Sequence, residues 1–301
     1  MIRSRVVLGS AVCLGLLAAG PAYAQQTFSL QPLPRTDKEL RSSFTGAQLD
    51  ILEKLNRRDR EHLLRVDPPV PGLVVPATWP GDELAYSPLP EAWPAASAHP
   101  KYLVVDQPSQ AFGAYEFGRL VRWGPVSSGR KETPTPSGSF NLTWRSRKRT
   151  STDNDAWILE WYFNFVNARG VSFHQFDLPG YAASHACVRL LKRDAQWLYG
   201  WGDQWKLSED RRAVVVPGTP VLILGVFGHG TSSPPWTSLE WLAKPIELPV
   251  TVPAPFVERW GGTFVANGRT PSGFELLDPD DPLGDAGVSI EDRRIMAGND
   301  Q

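Results

Sequence analysis

The pattern of apolar and polar positions divides the chain into stretches of different period. From Val6 to Ala19 it is almost continuously apolar, preceded by Arg3 and Arg5 and followed by the small-residue exit Ala22-Tyr23-Ala24. That order predicts a cleaved secretory signal over 1–24 and an exported chain beginning near Gln25. The run is too short to span a bilayer with margin, and nothing later approaches the roughly 20 apolar residues that a transmembrane helix needs. Between Ala47 and Val66, Leu49, Ile51, Leu52, Leu55, Leu63 and Leu64 recur among charges. This spacing predicts one or two short amphipathic helices, ended by Pro68 and Pro69. The Pro/Ala-rich stretch from Ala77 to Pro100 reads as a linker, so 25–99 is expected to be a helical and Pro-rich N-terminal segment.

From Tyr102 the pattern changes to short β-rich runs: 102–106, 111–116, 119–123, 138–144, 157–166 and 171–174. Phe117-Gly118 is placed for a hairpin turn, and Asn167-Ala168-Arg169-Gly170 breaks the last two runs apart. A final apolar pair, 213–216 and 220–224, flanks Pro217-Gly218. Many short strands at regular spacing predict a mainly β sandwich or barrel. One helix is expected after residue 190, with Asp194 as its cap and Ala195, Leu198 and Trp201 along it. Beyond Phe227 the chain is rich in Pro and Gly, and 278–285 is acidic and apolar-poor, so 227–301 is expected to be a weakly ordered extension.

The composition changes this picture in two ways. A net charge of -1 excludes a protein whose affinity rests on a basic excess, such as a coat for nucleic acid or an anionic membrane. The chain has 2 Cys, and Cys13 lies inside the signal's apolar core. The exported form therefore holds a single thiol, Cys187, which is either inert and buried or chemically at work.

A thiol attacks a carbonyl as its thiolate, so a working cysteine needs an imidazole to take its proton and donors to hold the oxyanion. His174 stands 13 residues before Cys187 at the end of a strand-like run, and His185 two before it. The small residues Ala182, Ala183, Ser184 and Ala186 allow close backbone approach to a substrate. By themselves these residues do not decide between an active site and a buried thiol.

The ordered motifs around them resemble the L,D-transpeptidase family, the YkuD domain. Phe173-His174-Gln175 and Ser184-His185-Ala186-Cys187-Val188-Arg189 look like its histidine and cysteine motifs. Tyr102 to Asp106, Pro125 to Gly129, Thr133 to Phe140, Asp194 to Tyr199 and Gly218 to Val221 resemble its other segments. The resemblance covers about residues 100–226, the expected catalytic domain. It implies a YkuD-like β-sandwich or barrel in which Cys187 is the nucleophile, forming a thioester with a peptidoglycan tetrapeptide stem. His174 would be the base, oriented by the Gln175 carbonyl. His185 and the backbone amides from His185 to Cys187 would shape the oxyanion site, provided that φ at Ala186 is negative. Arg189 and Ser184 would hold substrate or support the motif loop.

Transfer of the stem to an amine would then give a 3→3 cross-link or protein anchoring, in the service of cell-wall organisation and cell shape. An L,D-carboxypeptidase or wall hydrolase on the same scaffold, and a non-catalytic wall-binding protein, are the alternatives. The implied place is the periplasm or cell envelope, with peptidoglycan stem peptides as partner and no cofactor or metal. Ala186 in place of the usual Gly, Gln175 in place of Gly or Ser, and a shorter gap between the two motifs depart from the family pattern. Ile51 to Asn56 with Leu73 to Pro76 faintly resembles the end of a LysM module, which implies possible glycan contact, beside the plainer reading of a helical lead-in. His229, His62 and His99 are read as loop, helix-face and linker residues, Arg145 to Arg149 as a solvated loop, and Trp144, Trp157, Trp161 and Tyr162 mostly as core.

Overall fold

A computed structural model describes residues 26–64, 71–151, 153–211, 213–230 and 234–252. The expected signal, the helix-ending prolines and the acidic stretch 278–285 lie outside the described residues. Among those described, no helix is long and apolar enough to cross a membrane.

The N-terminal segment is a small unit of its own. Strand β1 (Phe28–Gln31) pairs antiparallel with β2 (Leu73–Pro76), and between them lie helices α1 (Asp37–Ser43) and α2 (Gly46–Asn56). Thr36 caps α1, and Thr45 with Gln48 forms a capping box on α2, each satisfying N–H groups that a first turn leaves free. Leu40, Leu49, Leu52, Leu63, Leu73 and Val75 fill its core. Helix α2 is the one expected from the 47–66 pattern. It stops at Arg57, whose φ is 55°, and residues 57–64 turn away, so Leu63 and Leu64 belong to a loop. The run that reads as a linker is packed: Tyr86, Leu89, Trp93 and Ala96 are buried against the main sheet, Tyr86 and Ala96 at the ends of two 3-10 turns.

The main domain is one sheet of nine strands in the order β6-β13-β3-β4-β5-β10-β9-β8-β7. These are β3 (Tyr102–Asp106), β4 (Ala111–Glu116), β5 (Arg119–Ser127), β6 (Gly138–Asn141), β7 (Arg145–Thr150), β8 (Ile158–Val166), β9 (Val171–Gln175), β10 (Val188–Leu190) and β13 (Pro220–Leu224). Beyond β6 the chain bends across to β8, where Thr143 N–H donates to Asn164 O at 2.8 Å and Asn164 N–H to Trp144 O at 2.9 Å. The sheet thereby curls on itself around Phe163, Phe165, Phe173, Val188, Leu190 and Leu198, the barrel-like mainly β architecture that the short strands predict. Phe117-Gly118 makes the β4–β5 turn with φ of 49° and 76°, as a tight hairpin requires.

Four local expectations need correction. Arg145 to Arg149 is not a loop but the edge strand β7, whose alternate guanidinium groups lie over the rings of Tyr199, Trp161 and Trp144; charged edges of this kind resist pairing with other chains. Asp194 does not cap the helix α3 (Lys192–Trp201). Leu191 is its N-cap residue, and Asp194 is fully buried in its first turn, paired with Arg122. Pro217-Gly218 makes no hairpin, because β12 (Val214–Val216) pairs with β11 (Lys206–Leu207) while β13 pairs with β3 and β6. Gly218 is needed there because a Cβ would lie 2.0 Å from Leu142 O. Residues 234–252 are packed, since Trp236 is buried beside Phe227, and Trp93 donates to Pro249 O at 2.8 Å.

Candidate active site

Strands β9 and β10 run parallel, with Val188 opposite Phe173, Arg189 opposite His174 and Leu190 opposite Gln175. The two-residue period of a strand then sorts the motif residues. Val171, Phe173, Val188 and Leu190 enter the core. Ser172, His174, Cys187 and Arg189 share the other face, where His174, Cys187 and Arg189 line an open, shallow cleft. The two sequence motifs are thus joined by one parallel register. Its walls come from the motif loop (Ser184, His185), from Phe176, and from Ser151, Asp153, Trp157 and Leu159 at the turn into β8.

His174 is almost fully buried, and its Nδ1 lies 3.1 Å from the Gln175 carbonyl. A ring nitrogen facing a carbonyl must be the N–H, so the other nitrogen, Nε2, is the free acceptor. Burial depresses the imidazole from 6.5 to about 4, the carbonyl bond and Arg189 being smaller and opposed influences. Burial also pushes the Cys187 thiol up, against the hydrogen bonds from Ser172. At neutral pH the site therefore holds a neutral imidazole and a neutral thiol, because neither charged form is well solvated. Sγ sits 3.5 Å from Ser172 Oγ and 3.8 Å from Gly170 O.

His185 packs on Trp157, with ring centroids 4.9 Å apart, and its Nδ1 is buried without a hydrogen-bond partner. Burial and Arg130 lower its pKa. Arg189 lies over the Phe176 ring and donates to Asp177 O at 3.4 Å. Ser184 is held by its backbone: its N–H donates to Ser128 O at 3.0 Å and its carbonyl accepts from Arg130 N at 2.8 Å. Ala186 has φ of 75°, so the negative φ expected for the oxyanion site is not adopted. Its carbonyl accepts from Thr135 Oγ1 at 2.7 Å, which fixes the peptide plane that carries the Cys187 N–H.

The loop between the motifs is gripped from the N-terminal unit. Asp59 N–H donates to Leu178 O at 3.0 Å, and Leu178 N–H donates to Asp59 Oδ2 at 2.7 Å. Gly180, at φ of 92°, leaves room for Arg58, whose Nε a Cβ would meet at 2.6 Å. Sequence reasoning misses Asp59 and Ser172, and places Trp157 among core residues although it lines the cleft. Only the alternation Ser172-Phe173-His174 hinted that Ser172 shares the face of His174. His229 and His62 lie outside the cleft, as does His99. His62 is not on a helix face; its ring Nδ1 is 2.7 Å from Asp59. Among the described residues no group of three or more His, Cys, Asp or Glu is placed to hold a metal ion.

Residues 100–223 match the family model of the L,D-transpeptidase catalytic domain, YkuD. Comparison with curated proteins finds no match. Solved structures similar to the chain include an L,D-transpeptidase from Stackebrandtia nassauensis, at 23% identity and a TM-score of 0.35 over 44% of this chain and 58% of that one. An L,D-transpeptidase from Mycobacterium smegmatis is similar at 19% identity and a TM-score of 0.34, over 42% and 59%. One from Mycobacterium tuberculosis H37Rv reaches 23% and 0.33 over 42% and 58%. The chain thus spans less than two thirds of the length of these structures. Over residues 100–223 the chain is thus similar to the YkuD family of L,D-transpeptidase catalytic domains.

Proposed function

We propose that the protein is a peptidoglycan L,D-transpeptidase of the cell envelope, exported by its N-terminal signal, with Cys187 as nucleophile and His174 as general base. The observation that carries this reading is the β9–β10 register, which brings the only exported thiol and a buried, neutral imidazole onto one face of one cleft. Cys187 Sγ attacks the carbonyl of the third residue of a tetrapeptide stem as His174 Nε2 accepts the thiol proton. The tetrahedral intermediate then expels the terminal D-alanine, which takes that proton with its amine, and leaves a thioester. An acceptor amine gives up a proton, attacks the thioester and releases the thiol, forming a 3→3 cross-link or a protein anchor. With both groups neutral at rest, the proton moves during attack, and general base assistance of this kind is worth about 10²–10⁴-fold.

The Cys187 N–H, in the peptide held by Thr135, is our candidate oxyanion donor, with His185 as the aromatic and polar wall beside it. Ser184 supports the motif loop, and so does the Gln175 carbonyl through His174. Arg189 borders the stem-peptide site. For the N-terminal βααβ unit we propose a glycan contact, in keeping with its faint LysM resemblance.

Incubation of the chain with a tetrapeptide donor and an amine acceptor, followed by mass spectrometry, tests the reading. A thioester on Cys187, absent in Cys187→Ala, together with joined product supports it. A thioester that yields only hydrolysed donor supports the carboxypeptidase alternative. No adduct at all leaves the wall-binding alternative.

A further inference from the structure

Behind Cys187 runs a chain of buried polar side chains that the reaction above does not use. Thr143, Asn164, Tyr162 and Ser172 are each no more than 3% exposed, and Asn164 faces Ser172 directly across the β8–β9 pair. Polar groups in such positions cost free energy unless they are satisfied.

Their hydrogen bonds leave little choice of direction. Thr143 Oγ1 donates to Asn164 Oδ1 at 2.7 Å, so Asn164 Nδ2 donates to Tyr162 Oη at 3.1 Å. Tyr162 then gives its own proton to Gly170 O at 2.9 Å. Ser172 Oγ lies 3.5 Å from Cys187 Sγ, in a hydrogen bond that either atom can donate. Its hydroxyl is the rotor of this group that touches the sulfur. While Cys187 is a thiol, its S–H has Ser172 Oγ and Gly170 O within reach as acceptors. Once the proton has left, a single rotation turns the Ser172 O–H onto the sulfur, and no other group has to move.

Resting on the reading of Cys187 as nucleophile, we propose that Ser172 is a further catalytic residue: its hydroxyl, in contact with the sulfur, donates to the thiolate and holds it. Such a donor supplies in a dry site the stabilisation that a charged neighbour would otherwise give, since a donor fixed in advance needs little reorganisation. It also explains why the thiol can work beside an imidazole that burial keeps neutral. Among the influences on Cys187 that oppose burial, those of Ser172 are the largest.

The test is the pH dependence of Cys187 alkylation by iodoacetamide in the full chain, read on the Cys187 peptide by mass spectrometry so that Cys13 does not interfere. In Ser172→Ala, where the N–H remains and the hydroxyl is lost, the alkylation midpoint should rise by about one pH unit. That is about tenfold slower reaction at a fixed pH below the midpoint. Thermal unfolding of the same variant checks that it is folded, and Ser172→Thr, which keeps a hydroxyl, should retain most of the reactivity. An unchanged midpoint in folded Ser172→Ala overturns the proposal. Because alkylation needs no stem peptide, a raised midpoint with no donor thioester refutes the transpeptidase reading and leaves the role of Ser172 in thiolate stabilisation standing.

Discussion

Two polar regions of this fold are built on opposite principles. Where the N-terminal unit and α3 meet β5, the groups are charged and paired: Lys54 with Glu83 at 2.5 Å, Arg122 with Asp194 at 2.6 Å, and Arg193 with Glu53 at 2.5 Å. Around Cys187 the chain Thr143, Asn164, Tyr162 and Ser172 is neutral, and burial keeps His174 and Cys187 neutral as well. A fixed charge pair makes a rigid joint, because removing either partner strands the other in a poor solvent. A site that must create and discharge a thiolate needs the reverse, charge that appears only during the reaction. The lesson is that ion pairs mark the joints of this fold, and that the neutral polar groups around Cys187 suit the reaction proposed there.

The largest break in that contrast comes from His174→Ala. Thioester formation at neutral pH should fall by about 10²–10⁴-fold, measured by rapid quench and mass spectrometry, while His229→Ala, outside the cleft, should match the unaltered chain. The same assay over pH sharpens the point. Folding lowers the His174 pKa from 6.5 to about 4, and only the neutral ring accepts a proton. Activity should therefore persist below pH 6 and be lost as pH falls through about 4; loss centred near 6.5 would refute a buried neutral base. For stability the sign is the same. Between 6.5 and 4 the unfolded histidine binds a proton that the folded one refuses, so this group's contribution falls as pH falls through that window.

On the architectural side, Asp194→Ala should leave Arg122 buried without its partner and cost about 3 kcal/mol, read from urea unfolding. The double variant Arg122→Met with Asp194→Leu should recover much of that loss. A single variant as stable as the parent would show that the joint does not depend on this pair. The smallest effect concerns Ala186, whose φ of 75° is unfavourable for a residue with a Cβ by about 1–2 kcal/mol. Ala186→Gly relieves it at some cost in backbone entropy, so a gain of about 0.5–1 kcal/mol in unfolding free energy is expected. Destabilisation instead would mean that the alanine methyl, packed against the main core, contributes more than the strain removes.

Much of the fold is legible in the residues. The strand-like runs at 102–106, 111–116, 157–166 and 171–174 coincide with strands to within a residue, because alternation of core and surface positions is local information. Elements whose environment is set from elsewhere escaped it. Strand β7 consists mostly of charged residues, and only its pairing with β8 and the rings beneath its arginines make it a strand. Asp194 has the composition of a cap, yet Arg122 lies 72 positions away in sequence and draws it inward. The stretch 77–100 has the Pro and Ala content of a linker, but Trp93 and Tyr86 find a core on strands that come later in the chain.

For the site, the chain by itself determined the candidate reagents: the Cys187 thiol, two histidines close to it in sequence, and the ordered motifs that carry the family resemblance. Those are matters of residue identity and spacing. Only the tertiary structure decided the state in which they meet. The parallel β9–β10 register sets Ser172 and His174 beside Cys187 and Arg189, the curl of the sheet buries the Ser172 chain behind the sulfur, and Asp59 ties down the loop that joins the motifs. Protonation, partner and backbone conformation depend on how much water and which groups surround each atom, and contacts between residues far apart in sequence determine both.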